Sequence, residues 1–277
     1  MSAPRDLLRW AEDELRESAI NPALDALILL SEATGLNRSE VLLRDWIETK
    51  EEVTFRNWVA RRINGEPIQY ITGRAYFRHL TLAVGPGVLI PRPESESIID
   101  GVIARISGIP EPLVVDLGAG SGAMGLSIAS EAPHARVTAV EKDSAAINWL
   151  EQNAEANQVS NIKLTIVHDD VENFDGKNSF DVVIANPPYI PNGEELPAEV
   201  YGFEPHVALF GGATGVEIPL LFIECAIRAL KPGGYLAIEH HESHGKAIGE
   251  ALERSFNDVT LHYDLNNRAR WSSGVIK

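Results

Sequence analysis

The sequence predicts an α/β fold with a mostly parallel sheet, preceded by a small helical bundle. Three observations carry this. From residue 113 onward, short apolar strands alternate with helical patterns, the order that covers both faces of a parallel sheet with helices. Residues 6–64 show helical periodicity alone. The last two strand-like pieces, 259–264 and roughly 270–276, follow each other without a helix, as a closing antiparallel hairpin does.

The helical part comes first. Leu7, Leu8, Ala11 and Leu15 recur near helical spacing between charged residues. Pro22 opens a second helix through Leu24, Leu27, Ile28 and Leu30, with a stop at Gly35. Thr49-Lys50-Glu51-Glu52 matches a capping box with Thr49 as the cap. It starts a helix through Val53, Trp58, Val59 and Ile63, ended by Gly65 and Pro67. Residues 1–75 are therefore expected as a separate domain for partner recognition. Residues 76–92 are expected as a β-hairpin linker: Leu80, Leu82 and Val84 alternate, Gly85-Pro86-Gly87 turns, and Val88-Leu89-Ile90 follows.

Residues 93–277 form the α/β domain. After a helix through Ile98, Ile99, Val102 and Ile106, strands are expected at 113–117, 136–141, 162–167, 181–185 and 235–239. Helices are expected at 122–130, 143–156, 216–230 and near 244–255. Right-handed crossovers place the ligand crevice at the carboxyl ends of the strands.

The formal net charge of the 277 residues is −16. That field opposes long-range attraction to nucleic-acid phosphates and suits a basic protein partner or a small molecule. No apolar run reaches membrane-spanning length, and no secretory signal opens the chain, so a cytoplasmic location without membrane attachment is expected. The single cysteine, Cys225, lies in an apolar helical pattern and is expected as a buried small hydrophobe. His240-His241-Glu242-Ser243-His244 straddles a strand-to-helix junction and lacks metal-ligand spacing, so no metal site is expected.

Two stretches carry chemistry. Gly118-Ala119-Gly120-Ser121-Gly122 follows a buried strand and opens a helix, where glycine lets backbone approach a ligand closely. Glu141 ends the next strand, where a carboxylate can accept the hydroxyls of a ribose. Asp170, beyond the third strand, can meet an adenine amino group or simply turn a loop, and Val171 can pack on a base. The second stretch is Asn186-Pro187-Pro188-Tyr189, at the tip of the strand 181–185. Its prolines hold Asn186 and Pro187 extended. That corner offers two acceptors and one ring face to a small planar group bearing NH2. The roles of Arg92, between two prolines, and of Phe77, in the cleft or in a hairpin core, stay open.

Asp116-Leu117-Gly118-Ala119-Gly120-Ser121-Gly122, then Glu141, then Asn186-Pro187-Pro188-Tyr189 resembles class I S-adenosylmethionine-dependent methyltransferases. That resemblance implies a Rossmann-like sheet with a C-terminal antiparallel hairpin. It also implies a cofactor site that includes Asp116 and Asn186. Residues 65–73, Leu89 through Glu96, Asn186 through Ile190, Phe203-Glu204-Pro205 and Ala208 through Gly212 resemble the HemK/PrmC family. The resemblance implies N5-methylation of the glutamine in the Gly-Gly-Gln motif of peptide chain release factors; separately, a monomer is expected. The family usually has Asp where this chain has Glu141, and a Gly is common before Arg268, where this chain has Asn267. In this reading Asn186 and Pro187 accept the two amide hydrogens while Tyr189 stacks on the amide, with Pro188 completing the substrate corner. An adenine-N6 methyltransferase acting on nucleic acid, a ribosomal-protein glutamine methyltransferase and an inactive scaffold are the alternatives. The charge argues against the first, the less similar segment around Pro91-Arg92-Pro93-Glu94 against the second, and the intact motifs against the third.

Overall fold

A computed structural model describes residues 2–160, 163–264 and 266–277. Ile162, the expected start of one strand, and Leu265, before the hairpin turn, lie outside them. The chain divides into two compact units, Met1–Arg74 with Leu196–Glu204, and Ala75–Glu195 with Pro205–Lys277. The return of 196–204 to the first unit has no counterpart in the expected division at residue 75.

The first unit packs α1 (Pro4–Leu15), α2 (Pro22–Thr34), α3 (Arg38–Leu43), α4 (Thr49–Ile63) and α5 (Ile68–Thr72). Leu7, Leu15, Leu29, Leu30, Phe55 and Val59 form its core. Gly35 ends α2 in the left-handed conformation at φ 68°, which costs glycine nothing. The cap of α4 lies one residue before the expected Thr49. The Glu51 side chain accepts the Glu48 N–H at 2.8 Å, whereas Glu52 is held by the Ser2 hydroxyl at 2.8 Å and by Arg56. Arg62 is buried. It reaches Asp25 at 2.8 Å and, at 2.6 Å, Glu199 on the short helix α9 (Ala198–Phe203). That ion pair ties the returning segment to the bundle.

The second unit opens within β1 (Arg74–Phe77), which forms a hairpin with β2 (Leu80–Ala83). It turns at Arg78, not at Gly85-Pro86-Gly87 as expected, and Val88-Leu89-Ile90 forms no strand. The physical reason is side-chain anchoring. Arg78 takes φ 50° while its guanidinium holds Glu131 at 2.6 and 2.7 Å. Gly85 and Pro86 instead lie against Trp149, whose indole N–H donates to the Pro86 carbonyl at 3.2 Å.

After α6 (Glu96–Ile106) the sheet begins. Its strands are β3 (Leu113–Leu117), β4 (Arg136–Glu141), β5 (Leu164–His168), β6 (Phe180–Ala185), β7 (Leu230–Glu239), β8 (Phe256–Tyr263) and β9 (Ala269–Ile276). The seven-stranded order is β5-β4-β3-β6-β7-β9-β8, parallel from β5 through β7, with β9 antiparallel to both its neighbours. One face packs α6, α7 (Ala123–Glu131) and α8 (Ser144–Ala156) through Ile98, Leu126 and Leu150. The other packs α10 (Glu217–Ala229) and α11 (Gly245–Glu253) through Phe222, Ala226 and Ile248. Asn267 turns the final hairpin at φ 59°, the left-handed conformation expected of an Asn in place of Gly. Strand order reverses between β3 and β6, where a doubly wound sheet opens its ligand crevice.

Arg62→Ala leaves the Asp25 carboxylate buried without its cation, so the first unit should lose about 3 kcal/mol. A lowered denaturant midpoint of the full chain measures this; an unchanged midpoint would mean the triad carries no net stability.

Candidate active site

The crevice lies where β3 and β6 end side by side, with Leu117 paired to Ala185. Gly118, Ala119, Gly120 and Ser121 line it from β3, and Asn186 and Pro188 from β6. Glu141, Asp170 and Val171 complete the wall from the neighbouring strands.

The glycine loop is shaped by three left-handed residues, Gly118 at φ 67°, Gly120 at φ 55° and Gly122 at φ 85°. A Cβ on Gly122 would lie 2.3 Å from Leu150 Cδ1, whereas one on Gly120 would meet nothing. Gly122 is thus glycine for packing as well as for backbone, and Gly120 for backbone alone. Gly118 and Ala119 N–H donate to the Val140 carbonyl at 2.9 and 3.0 Å, drawing the loop over β4. Asn153, fully buried on α8, donates to the Ser121 carbonyl at 2.9 Å and exchanges two hydrogen bonds with Ala83 of the hairpin. Sequence reasoning missed Asn153, because nothing in a helical pattern marks an amide that faces inward.

Glu141 folds back on the loop. Its carboxylate accepts Gly120 N–H at 2.9 Å on one oxygen, and Lys142 and Asp143 N–H at 2.8 and 2.9 Å on the other. A carboxylate offers about four acceptor positions, so with three taken one remains for a ligand hydroxyl. Asp170 stands in the cavity wall with its Oδ2 3.3 Å from the half-exposed Lys142 ammonium. Phe77 is buried in the hairpin core and also lines the cavity, so both of its open roles coincide. Arg92 lines the cavity as well. Asp116 and Gly122 are not in the wall; they support it from behind.

The Asn-Pro-Pro-Tyr corner is braced from two sides. Glycine backbone backs it: a Cβ on Gly211 would lie 2.6 Å from the Pro188 carbonyl oxygen, and one on Gly215 2.4 Å from that of Tyr189. Ile190 N–H donates to Leu209 O and Gly211 N–H to Ile190 O, both at 2.9 Å. On the other side Asn186 Nδ2 donates to Ser95 Oγ at 3.2 Å. The Tyr189 hydroxyl donates to buried Glu239 at 3.0 Å. Burial first, then the Glu239 charge, pushes the Tyr189 phenol well above its usual range. Pro187 and Tyr189 lie outside the cavity lining.

The remaining sequence candidates are structural. Burial pushes the Cys225 thiol up to about 11, so it stays protonated. His240 is buried, with one ring nitrogen at the His241 carbonyl and the other at Ser272 Oγ, both 2.9 Å. Among the described residues no three metal-ligating side chains converge.

Two family models match, the PrmC N-terminal domain over residues 6–73 and the Methyltransferase small domain over residues 103–200. A release factor glutamine methyltransferase of Bifidobacterium longum is 39% identical, covering 98% of this chain and 98% of its own. Another, of Streptomyces coelicolor, is 39% identical over 91% of this chain and 90% of its own. The chain belongs to the release factor glutamine methyltransferase family. Solved structures agree on the fold. An rRNA methyltransferase of T. thermophilus in complex with AdoMet and guanosine superposes at TM-score 0.55, 23% identity, covering 74% of this chain and 50% of that one. A methyltransferase of Pyrococcus furiosus superposes at TM-score 0.53, 21% identity, over 79% and 98%. On that fold, the glycine loop and residues Asn186 and Pro188 of the Asn-Pro-Pro-Tyr corner line one crevice in this chain.

S-adenosylmethionine fits what the crevice presents. The open side of Gly120 gives room for close approach, and Glu141 keeps one acceptor position. Behind the wall, Asp116 is fully buried, accepts Gly125 N–H at 2.8 Å on Oδ2 and leaves Oδ1 without a partner. Burial, and secondarily the Glu141 charge, raises the Asp116 carboxyl to about 7. Without ligand the folded chain therefore holds a proton that the unfolded chain releases near pH 4. Stability from this group is complete below about pH 4 and is lost as pH rises to about 7, up to about 4 kcal/mol. Asp116→Asn should remove that slope: its melting temperature, relative to the parent, should climb between pH 5 and pH 8. A constant difference would mean Asp116 titrates normally.

Proposed function

We propose that this chain transfers a methyl group from S-adenosylmethionine to the side-chain amide nitrogen of a release-factor glutamine, that of the Gly-Gly-Gln motif. The observation that carries this reading is the meeting of two motifs at one switch point: a glycine loop after β3 and Asn-Pro-Pro-Tyr after β6. S-adenosylmethionine, when bound, supplies an electrophilic methyl on a sulfonium. Gly118 through Gly122 cradle the cofactor, Glu141 accepts a ribose hydroxyl, Asp170 meets the adenine amino group and Val171 packs on the base. Asp116 holds the loop from behind.

An amide nitrogen is a poor nucleophile, since its lone pair is conjugated with the carbonyl. Asn186 Oδ1 and the Pro187 carbonyl accept the two amide hydrogens, aiming the nitrogen and favouring the positive charge that develops on it. Tyr189 sets the ring against the flat amide, and Pro188 closes the corner. Held this way, the nitrogen would face the methyl that the bound cofactor would supply, and the amide proton would leave after transfer to Asn186, Pro187 or solvent. Positioning supplies most of the acceleration.

The first unit serves partner recognition. Its match to the PrmC N-terminal domain supports this, as do Leu43 and Trp46, exposed at 84% and 54%. The charge of −16 suits a basic protein and disfavours nucleic acid as substrate. No described helix is long and apolar enough to cross a membrane. A monomer working in the cytoplasm, where translation factors are met, fits this reading.

Asn186→Ala should cost at least about 100-fold in turnover while S-adenosylmethionine binding, measured by calorimetry, survives. Equal loss of both would make Asn186 a cofactor or folding residue. With labelled S-adenosylmethionine, the label should appear on the release-factor glutamine. Label on DNA, RNA or a ribosomal protein instead would overturn the reading. The KM for release factor should rise with ionic strength; a salt-independent KM would remove the role of charge.

A further inference from the structure

We infer that Glu239 and Ser95 are positioning residues that decide which way round the Asn186 carboxamide faces the substrate. This rests on the methyl-transfer reading above. Glu239 lies at the end of β7, 2% exposed, and Ser95 just before α6, 3% exposed. The Ser95 hydroxyl donates to Glu239 Oε2 at 2.5 Å, and the Tyr189 hydroxyl donates to Oε1 at 3.0 Å. One hydroxyl thus sits on each carboxylate oxygen, placed to donate to it. Burial, and to a smaller degree the Glu94 charge, push the Glu239 carboxyl above its ordinary value, against the pull of the Ser95 and Tyr189 hydroxyls and the Arg270 charge.

The rest is a count of hydrogens. A carboxylate has none, so each partner must donate one. Serine has a single hydroxyl hydrogen. Once it is committed to Glu239, Ser95 Oγ can only accept from Asn186. It therefore meets the NH2 end of that side chain, Nδ2, at 3.2 Å. The Asn186 oxygen is left as the end available to the substrate. An amide is nearly symmetric in shape, so packing alone does not choose between its two orientations. Turned over, Asn186 would present hydrogens to the substrate's hydrogens. One carboxylate thus polarises the chain Glu239–Ser95–Asn186 and, on its second oxygen, anchors Tyr189. Glu239 is absent from the cavity wall and acts only through these neighbours.

Glu239→Gln keeps the shape and reverses the hydrogen count. The new amide gives its oxygen to Tyr189 and its NH2 to Ser95. Ser95 is then free to donate to Asn186, which favours the wrong orientation. Turnover should fall about 100-fold, with S-adenosylmethionine affinity and melting temperature close to the parent. Ser95→Ala cuts the relay, leaves Asn186 unbiased and should cost less. The double variant should therefore be more active than Glu239→Gln alone. Full turnover in Glu239→Gln, or a double variant worse than either single one, overturns the inference. A parent enzyme that labels only another substrate overturns the function reading instead. NMR covers that case. The Asn186 side-chain NH2 signals, assigned by their loss in Asn186→Ala, should shift in Glu239→Gln. Unmoved signals refute the relay whatever the substrate is.

Discussion

Parallel pairing of β3 with β6 is the contact on which the site depends. Leu117 opposite Ala185 places the next residues, Gly118 and Asn186, at neighbouring strand ends. In the sheet, β4 and β5 lie to one side of the pair and β7 to the other. The connections therefore leave the two strand ends in opposite directions, which opens a crevice there. A one-residue slip would turn every side chain of β6 to the opposite face. Val114, Val115, Val182, Val183 and Ile184 are fully buried, so either face is apolar and size decides. Ahead of β6, Gly176 packs closely against Ala229, whose Cα lies 2.6 Å from where a Cβ would sit.

Features written in local sequence were legible. Strand 136–141 and the helix that follows it needed only periodicity, and Asp143, expected as the first helical residue, is the cap. The glycine loop was legible because left-handed backbone at three alternate positions calls for glycine. Features held by distant partners were not. Ser95 meets Glu239 across 144 positions and Asn186 across 91. A Glu ending a strand resembles any solvated cap until the fold covers it. Arg62 gave the same difficulty, a helical arginine in a charged stretch whose partner Glu199 lies 137 residues away. The hairpin was misplaced for a related reason. Gly85-Pro86-Gly87 is the stronger turn signal, but Glu131 and Glu96, remote in sequence, hold Arg78 in the tighter turn.

The corner's rigidity comes from backbone as well as side chains. Two prolines remove N–H groups, so the chain there cannot join the sheet ladder. What holds it instead is a parallel bridge from Ile190 to Phe210, possible only because Gly211 and Gly215 have no Cβ. This explains why Ala208 through Gly212 accompany the corner in sequence, though they bear no reactive group. A site that works by positioning gains from such bracing, since a displacement of about 1 Å can cost about 100-fold in rate.

Three buried carboxyls differ in the donors they receive. Glu141 receives three backbone N–H groups and keeps one acceptor position on the cavity. Asp116 receives one, leaves an oxygen unpartnered, and lies beside the Glu141 charge; its carboxyl rises to about 7. Glu239 is as deeply buried as Asp116 but receives two hydroxyls, one on each oxygen. Hydroxyl donors differ from backbone donors in one respect. A hydroxyl that donates can still accept, so it passes polarity to the next group. Backbone N–H ends the chain at Glu141 and Asp116. Ser95 extends it from Glu239 to Asn186, and a charge outside the cavity thereby orients an uncharged group inside it.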